Sequence, residues 1–137
     1  MVKTAVIFLS VGFLTLFSAA AGCSPGESSV TGVVTYQQRI ALPPDAIVII
    51  QIQDVSLADA PAEVLGEQVI WPEGKQVPLP YQVKYNLGDI KENHTYSMSA
   101  RIENSDGKLL FISDTHTPVI TGGFPTKDVE IVAVPVG

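Results

Sequence analysis

Cys23 is the single cysteine of the 137-residue chain, so no internal disulfide can form. A lone thiol in an exported protein serves as a free nucleophile, as half of an intermolecular bridge, or as a point of covalent attachment. The only histidines, His94 and His116, stand 22 positions apart. Asp114 lies two residues before His116, a spacing that puts both side chains on one face of a strand. A metal centre needs three or four ligands, and no others accompany this pair, so no metal is expected. Ser56 with Asp54 and Asp59 offers the residue types of a nucleophile and its orienting acid. No neighbouring histidine and no nucleophile-elbow motif go with them, so a loop cap is the expected role. The glycines form no phosphate-binding loop. No enzyme activity and no cofactor are expected, and the remaining chemistry is that of a surface. Trp71, beside Pro72 at a turn, and Phe124, between Gly123 and Pro125, are each either an exposed contact or a plug at the end of a core.

The chain around Cys23 decides among the uses of its thiol. Lys3 supplies one positive charge, and Ala5 to Phe17 then runs thirteen residues without another. As a helix this run rises roughly 20 Å, short of the ~30 Å hydrocarbon core, which is signal-peptide rather than membrane-span length. Ser18 to Gly22 are small residues, and Cys23 follows at once. A peptidase reading small side chains can cut between Gly22 and Cys23, and the Cys23 thiol is the only side chain there able to take a thioether-linked diacylglycerol. Ala20-Ala21-Gly22-Cys23 resembles the bacterial lipobox, with Ala20 where leucine is commonest. Residues 1–22 are therefore expected to be a lipoprotein signal peptide, and three acyl chains on Cys23 would make the tether effectively permanent. The alternative is an ordinary secretory cut at Ala19–Ala21 with Cys23 a bystander. Residues 23–29 read as a polar leash, and by the sorting rule of enterobacterial lipoproteins Ser24 directs the protein to the outer membrane. In that setting the sequon Asn93-His94-Thr95 is not expected to be modified.

Lys3 is the only charge before Cys23, so the mature part carries seven basic and fourteen acidic residues. An acidic body argues against nucleic acid, whose phosphates require clustered Lys and Arg. It also argues against lying on anionic lipid through a basic patch.

The elements that position these residues are strands. Val77, Leu79, Tyr81, Val83 and Tyr85 share one parity, while Tyr96, Met98, Ala100 and Ile102 alternate with polar neighbours. Val30, Val34 and Tyr36 mark a first strand, Val48, Ile50 and Ile52 a second, and Ala62 to Trp71 a third with Gly66 at a bulge. Leu109 to Ser113 and Val129 to Val136 bring the number to about seven. Asn104-Ser105-Asp106-Gly107 is the strongest hairpin signal. Pro78 and Pro80 delete two amide donors from one side of their strand, which predicts a sheet border. Tyr96, following Leu87 and Ile90, is either a tyrosine corner returning its hydroxyl to upstream backbone or simply a core residue. Seven short strands favour a single antiparallel β-sandwich of immunoglobulin- or transthyretin-like form over residues 30–137, rather than a closed barrel.

Val30-Thr-Gly-Val-Val-Thr-Tyr, Ile40-Ala-Leu-Pro-Pro-Asp-Ala and Gln51 to Ala62 resemble the YbaY/YscW lipoprotein family. His94-Thr-Tyr, Gly107-Lys-Leu-Leu-Phe and Pro118-Val fit as well, so the likeness covers roughly Val30 to Val136 and is closest to the YbaY-like members. The resemblance implies an envelope lipoprotein with an all-β domain, in a family one branch of which acts as chaperones, or pilotins, for outer-membrane secretins. It carries no catalytic residues. The expectation is a non-catalytic, protein-binding accessory or chaperone held to the membrane by lipid on Cys23, with an envelope or secretion protein as partner. A glycan- or small-ligand-binding module is the alternative.

Overall fold

A computed structural model describes residues 26–136, so Gly22, Cys23 and the signal-peptide reading lie outside the described residues. Eight strands follow in chain order: β1 (Glu27–Tyr36), β2 (Ile47–Asp54), β3 (Glu63–Ile70), β4 (Leu79–Asn86), β5 (Tyr96–Glu103), β6 (Leu109–Ser113), β7 (Pro118–Val119) and β8 (Val129–Pro135). A 3-10 turn, Leu87–Asp89, leads out of β4. Glu27 to Ser29, expected in the leash, already belong to β1 and pair with Asn86 to Lys84. The apolar alternation stops at Val30, but the backbone goes on pairing beyond it.

Alternation becomes burial as anticipated. In β4 Leu79, Tyr81, Val83 and Tyr85 are buried while Pro80, Gln82, Lys84 and Asn86 are exposed. Val30, Val34, Ile50, Ile52, Tyr96, Met98, Ile102 and Ile131 meet them in one core. Two tyrosines there keep their hydroxyls satisfied, as a buried polar group must. Tyr81 donates to the Val129 carbonyl at 2.8 Å and Tyr36 to the Ile40 carbonyl at 2.6 Å. Burial raises both phenolic pKa values.

The strands do not divide into the two sheets of the expected sandwich. They follow one hydrogen-bonded path, β3-β2-β5-β6-β8-β1-β4, with β7 beside β5, coiled until β3 and β4 face each other as a nearly closed barrel. Irregularities in the ladders supply the curvature. The β2–β3 register shifts after Ile52, so that Leu65 is extra beside Gly66 and the expected bulge is present. Where β6 peels away from β5, the Ser113 hydroxyl takes the Ala100 amide at 2.9 Å. Buried Ser97 accepts from the Thr117 amide at 3.1 Å and donates to its carbonyl at 3.2 Å, bringing the chain back as β7. The parallel pairing of β1 with β8 needs Gly32, since a Cβ there would stand 1.8 Å from the Val129 carbonyl oxygen.

β4 is a terminal strand of the path as expected, although of the two prolines only Pro80 lies within it and Pro78 stands just before. Its outer side faces β3 across a seam without ladder pairing. Pro80 has no amide to offer there, and the Gln82 amide donates to the Gln68 side-chain carbonyl at 2.7 Å. At Gly66 a Cβ would come within 2.2 Å of the Lys84 carbonyl oxygen, so glycine allows the two strands to close. The seam is therefore held by one side chain and one missing side chain.

Candidate functional site

β2 and β5 run antiparallel with Asp54 opposite Tyr96, which places the residues just beyond each strand side by side. His94 thereby lies next to Asp54, its Nδ1 2.6 Å from Oδ2. Ser56 completes the group: its backbone amide donates to Asp54 Oδ1 at 3.0 Å, and its hydroxyl accepts from the Thr95 amide at 2.9 Å. The Thr121 hydroxyl donates to the His94 carbonyl at 2.7 Å, tying the loop after β7 to the same end. Burial works against ionisation of Asp54, but hydrogen bonds from Ser56 and from the His94 ring outweigh it and hold the carboxyl down at about 2.

The sequence shows Ser56 and Asp54 without a histidine nearby, and pairing of β2 with β5 supplies one from 40 positions away. The order of contacts is nevertheless not that of a nucleophile, base and orienter. Asp54 stands between the other two, and the serine hydroxyl is engaged by a backbone amide. The arrangement orients an imidazole at the mouth of two hollows. One of about 300 Å³ is lined by Asp54, Ser56, Leu57, Pro61, Glu63 and His94. The other, of about 180 Å³, lies between the Glu92–Tyr96 segment and Thr121, Gly122 and Phe124.

Tyr96 anchors this end from beneath. Its hydroxyl accepts from the Lys91 amide at 2.9 Å and donates to the Asp89 carbonyl at 3.4 Å, the upstream return of a tyrosine corner. His116 and Asp114 do not form a pair: both are exposed, and Asp114 accepts from the Thr115 hydroxyl. Among the described residues no three of His, Cys, Asp and Glu converge as metal ligands would.

Trp71 and Phe124 are both surface residues, 62% and 48% exposed, rather than core plugs. The structure does not bring them together. Phe124 belongs to the His94 end, whereas Trp71 follows Ile70, which pairs with Val48 near the start of β2. Asp54 is six residue steps along the strand from Val48, roughly 20 Å at ~3.3 Å per residue. What the sequence did not reveal is that Leu57, Val64 and Leu87 are also exposed apolar residues of the His94 end. Their only signal was an apolar type beside turn residues.

A family model described as "Type III secretion system lipoprotein chaperone (YscW)" matches residues 25–131. A curated Escherichia coli K12 relative, named "Uncharacterized lipoprotein YbaY", is 41% identical over 108 residues. That match takes in 79% of this chain but only 56% of the relative's length. A solved structure, an alternative pilotin from the type II secretion system of Vibrio cholerae, superposes with a TM-score of 0.73 at 47% identity. It covers 80% of this chain and 99% of that one.

Proposed function

The chain belongs to the YscW lipoprotein family, and from that premise we propose that it is a lipid-anchored accessory protein of the cell envelope that acts as a pilotin-like chaperone for a secretion component. The observation that carries this reading is the 47% identity to a type II secretion pilotin over 99% of that protein. Residues 1–22 act as signal peptide, Gly22–Cys23 is cut, and lipid on Cys23 holds the body at the outer membrane. The position of the only cysteine directly behind five small residues supports this. The work is binding rather than catalysis, in keeping with the chaperone description of the family.

The β-barrel narrows how a partner segment is gripped. Strand addition at the β3–β4 seam would have to displace Gln68 from the Gln82 amide and would meet Pro80, which donates nothing. The end loops are the better grip, with Trp71 as an aromatic anchor of the kind that dominates binding energy when buried by a partner. Crosslinking in intact cells, followed by purification of the lipoprotein, tests the proposal. A secretion-machinery protein should be enriched and should weaken with Trp71→Ala; no enriched envelope protein would refute it. A Cys23→Ser precursor should lose lipid labelling and leave the membrane fraction, and retention without lipid would refute the anchor.

The hollows beside His94 and Phe124 favour a second reading, binding of a glycan or another small envelope ligand. A ligand at 100 times its Kd adds about 2.7 kcal/mol to stability, so thermal shift against glycan fragments discriminates. A flat response across a broad panel removes this reading.

A further inference from the structure

Cys23 is separated from the folded body by very little chain. Gly26 is already pinned, its carbonyl accepting from the Leu87 amide at 2.7 Å, and Glu27 lies opposite Asn86. Three residues from Cys23 to Gly26 span at most about 11 Å even when fully extended. The body is more than twice that in length, since β3 alone, at eight residues, runs roughly 26 Å. Whatever surrounds Gly26 is therefore held close to whatever holds Cys23.

We propose that the barrel end carrying Leu87, Val64 and Leu57 rests on the surface of the lipid bilayer, with the Trp71 end turned away from it. The inference rests on lipidation of Cys23. Leu87 is 49% exposed although it begins the turn bonded to Gly26, and Val64 is 47% and Leu57 73% exposed. Glu63 lines both the hollow beside Leu57 and the one beside Val64, Gly88 and Lys91, so the three side chains share one end. The charges of this end are mostly acidic, Glu27, Asp54, Glu63, Asp89 and Glu92 against Lys91. An acidic rim opposes anionic headgroups, so the contact is with a zwitterionic leaflet and stays at headgroup depth. Trp71 comes eight residues after Glu63 along β3, at the opposite end of the barrel. It is thus left free for a partner on the far side from the membrane.

Trp71 is the only tryptophan of the chain, which makes it a native optical probe of this geometry. The full precursor is expressed, and the lipoprotein is purified from membranes and weighed by mass spectrometry. It is then placed in phosphatidylcholine vesicles that carry a spin label near the headgroup. Leu87→Trp in a Trp71→Phe background should lose about half its emission, because an apolar side chain at this interface sits ~5–10 Å into the headgroup boundary. The native protein, with Trp71 alone, should lose almost none. Val64→Trp in the same background repeats the measurement should Leu87→Trp fail to fold. With lipid present on Cys23, an unquenched probe at both near positions, or equal quenching of Trp71, overturns the orientation and leaves that end to a protein partner. A mass without lipid on Cys23 overturns the anchor and this inference together.

Discussion

Gly32→Ala tests whether the parallel β1–β8 pairing closes the barrel in the way the structure shows. The new Cβ would stand 1.8 Å from the Val129 carbonyl oxygen and 2.6 Å from its carbonyl carbon and amide nitrogen. Carbon–oxygen contacts settle at about 3.3 Å or more, so the strands must part by about 1.5 Å. That distance breaks any hydrogen bond of ordinary length. The ladder bonds beside the Gly32–Val129 pair would go, and so would the 2.8 Å bond from the Tyr81 hydroxyl to the same carbonyl. Two or three bonds at ~1 kcal/mol each, with a buried acceptor left unpaired, amount to about 3–5 kcal/mol. For a domain near 110 residues this is a fall in Tm of about 12–20 °C, read by circular dichroism and checked by the urea midpoint. Gly107→Ala is the matched control: its φ is +83° but nothing lies within 4 Å of the added Cβ, so only about 1 kcal/mol of backbone strain is expected. If Gly32→Ala melts no lower than Gly107→Ala, the close approach of β1 and β8 is not what holds the barrel shut.

Tyr81→Phe keeps the ring and removes the hydroxyl from the Val129 carbonyl, and should cost about 1–2 kcal/mol in urea unfolding. Stability should also fall in acid through Asp54. Its carboxyl is held at about 2 when folded against 3.8 ordinarily, so its contribution is complete above pH 4 and is lost as pH drops toward 2. Allowing for partial exposure, this is about 1–2 kcal/mol, and Asp54→Asn should flatten that part of the pH–stability curve; an unchanged acid limb would count against the His94–Asp54–Ser56 arrangement. Gln68→Ala frees the Gln82 amide at the seam, and hydrogen exchange there should speed up while β2 and β5 amides keep their protection.

The residues most legible beforehand were those with a local cause. Alternation in β4 and β5 located the strands and the buried face of each, because side-chain direction in a strand follows from sequence parity alone. Pro78 and Pro80 marked a border strand because a missing donor is a property of the residue itself. Leu87 and Ile90 ahead of Tyr96 mark it as a corner candidate, and its hydroxyl does return to the Lys91 amide. The start of β1 was missed by three residues, since Glu27 to Ser29 owe their strand to the partner Lys84–Asn86 and not to their own apolarity.

One sheet or two could not be read in this way. Isolated strands look the same in a sandwich and in a barrel; the distinction lies in how Ser97, Ser113 and the Leu65 bulge bend the ladders, and in the absence of a Cβ at Gly32 and Gly66. The site followed the same division. Trp71 and Phe124 could be nominated by type and by neighbouring turn residues, but only the register of β2 against β5 sets His94 beside Asp54 and leaves the two aromatics at opposite ends. The sequence by itself determined strand content, the buried parity and a lone cysteine behind a short apolar run, all of them properties of neighbouring residues. Tertiary structure decided closure, the partners of each loop and the end at which Gly26 joins the barrel, because contacts between residues tens of positions apart depend on the register of whole strands.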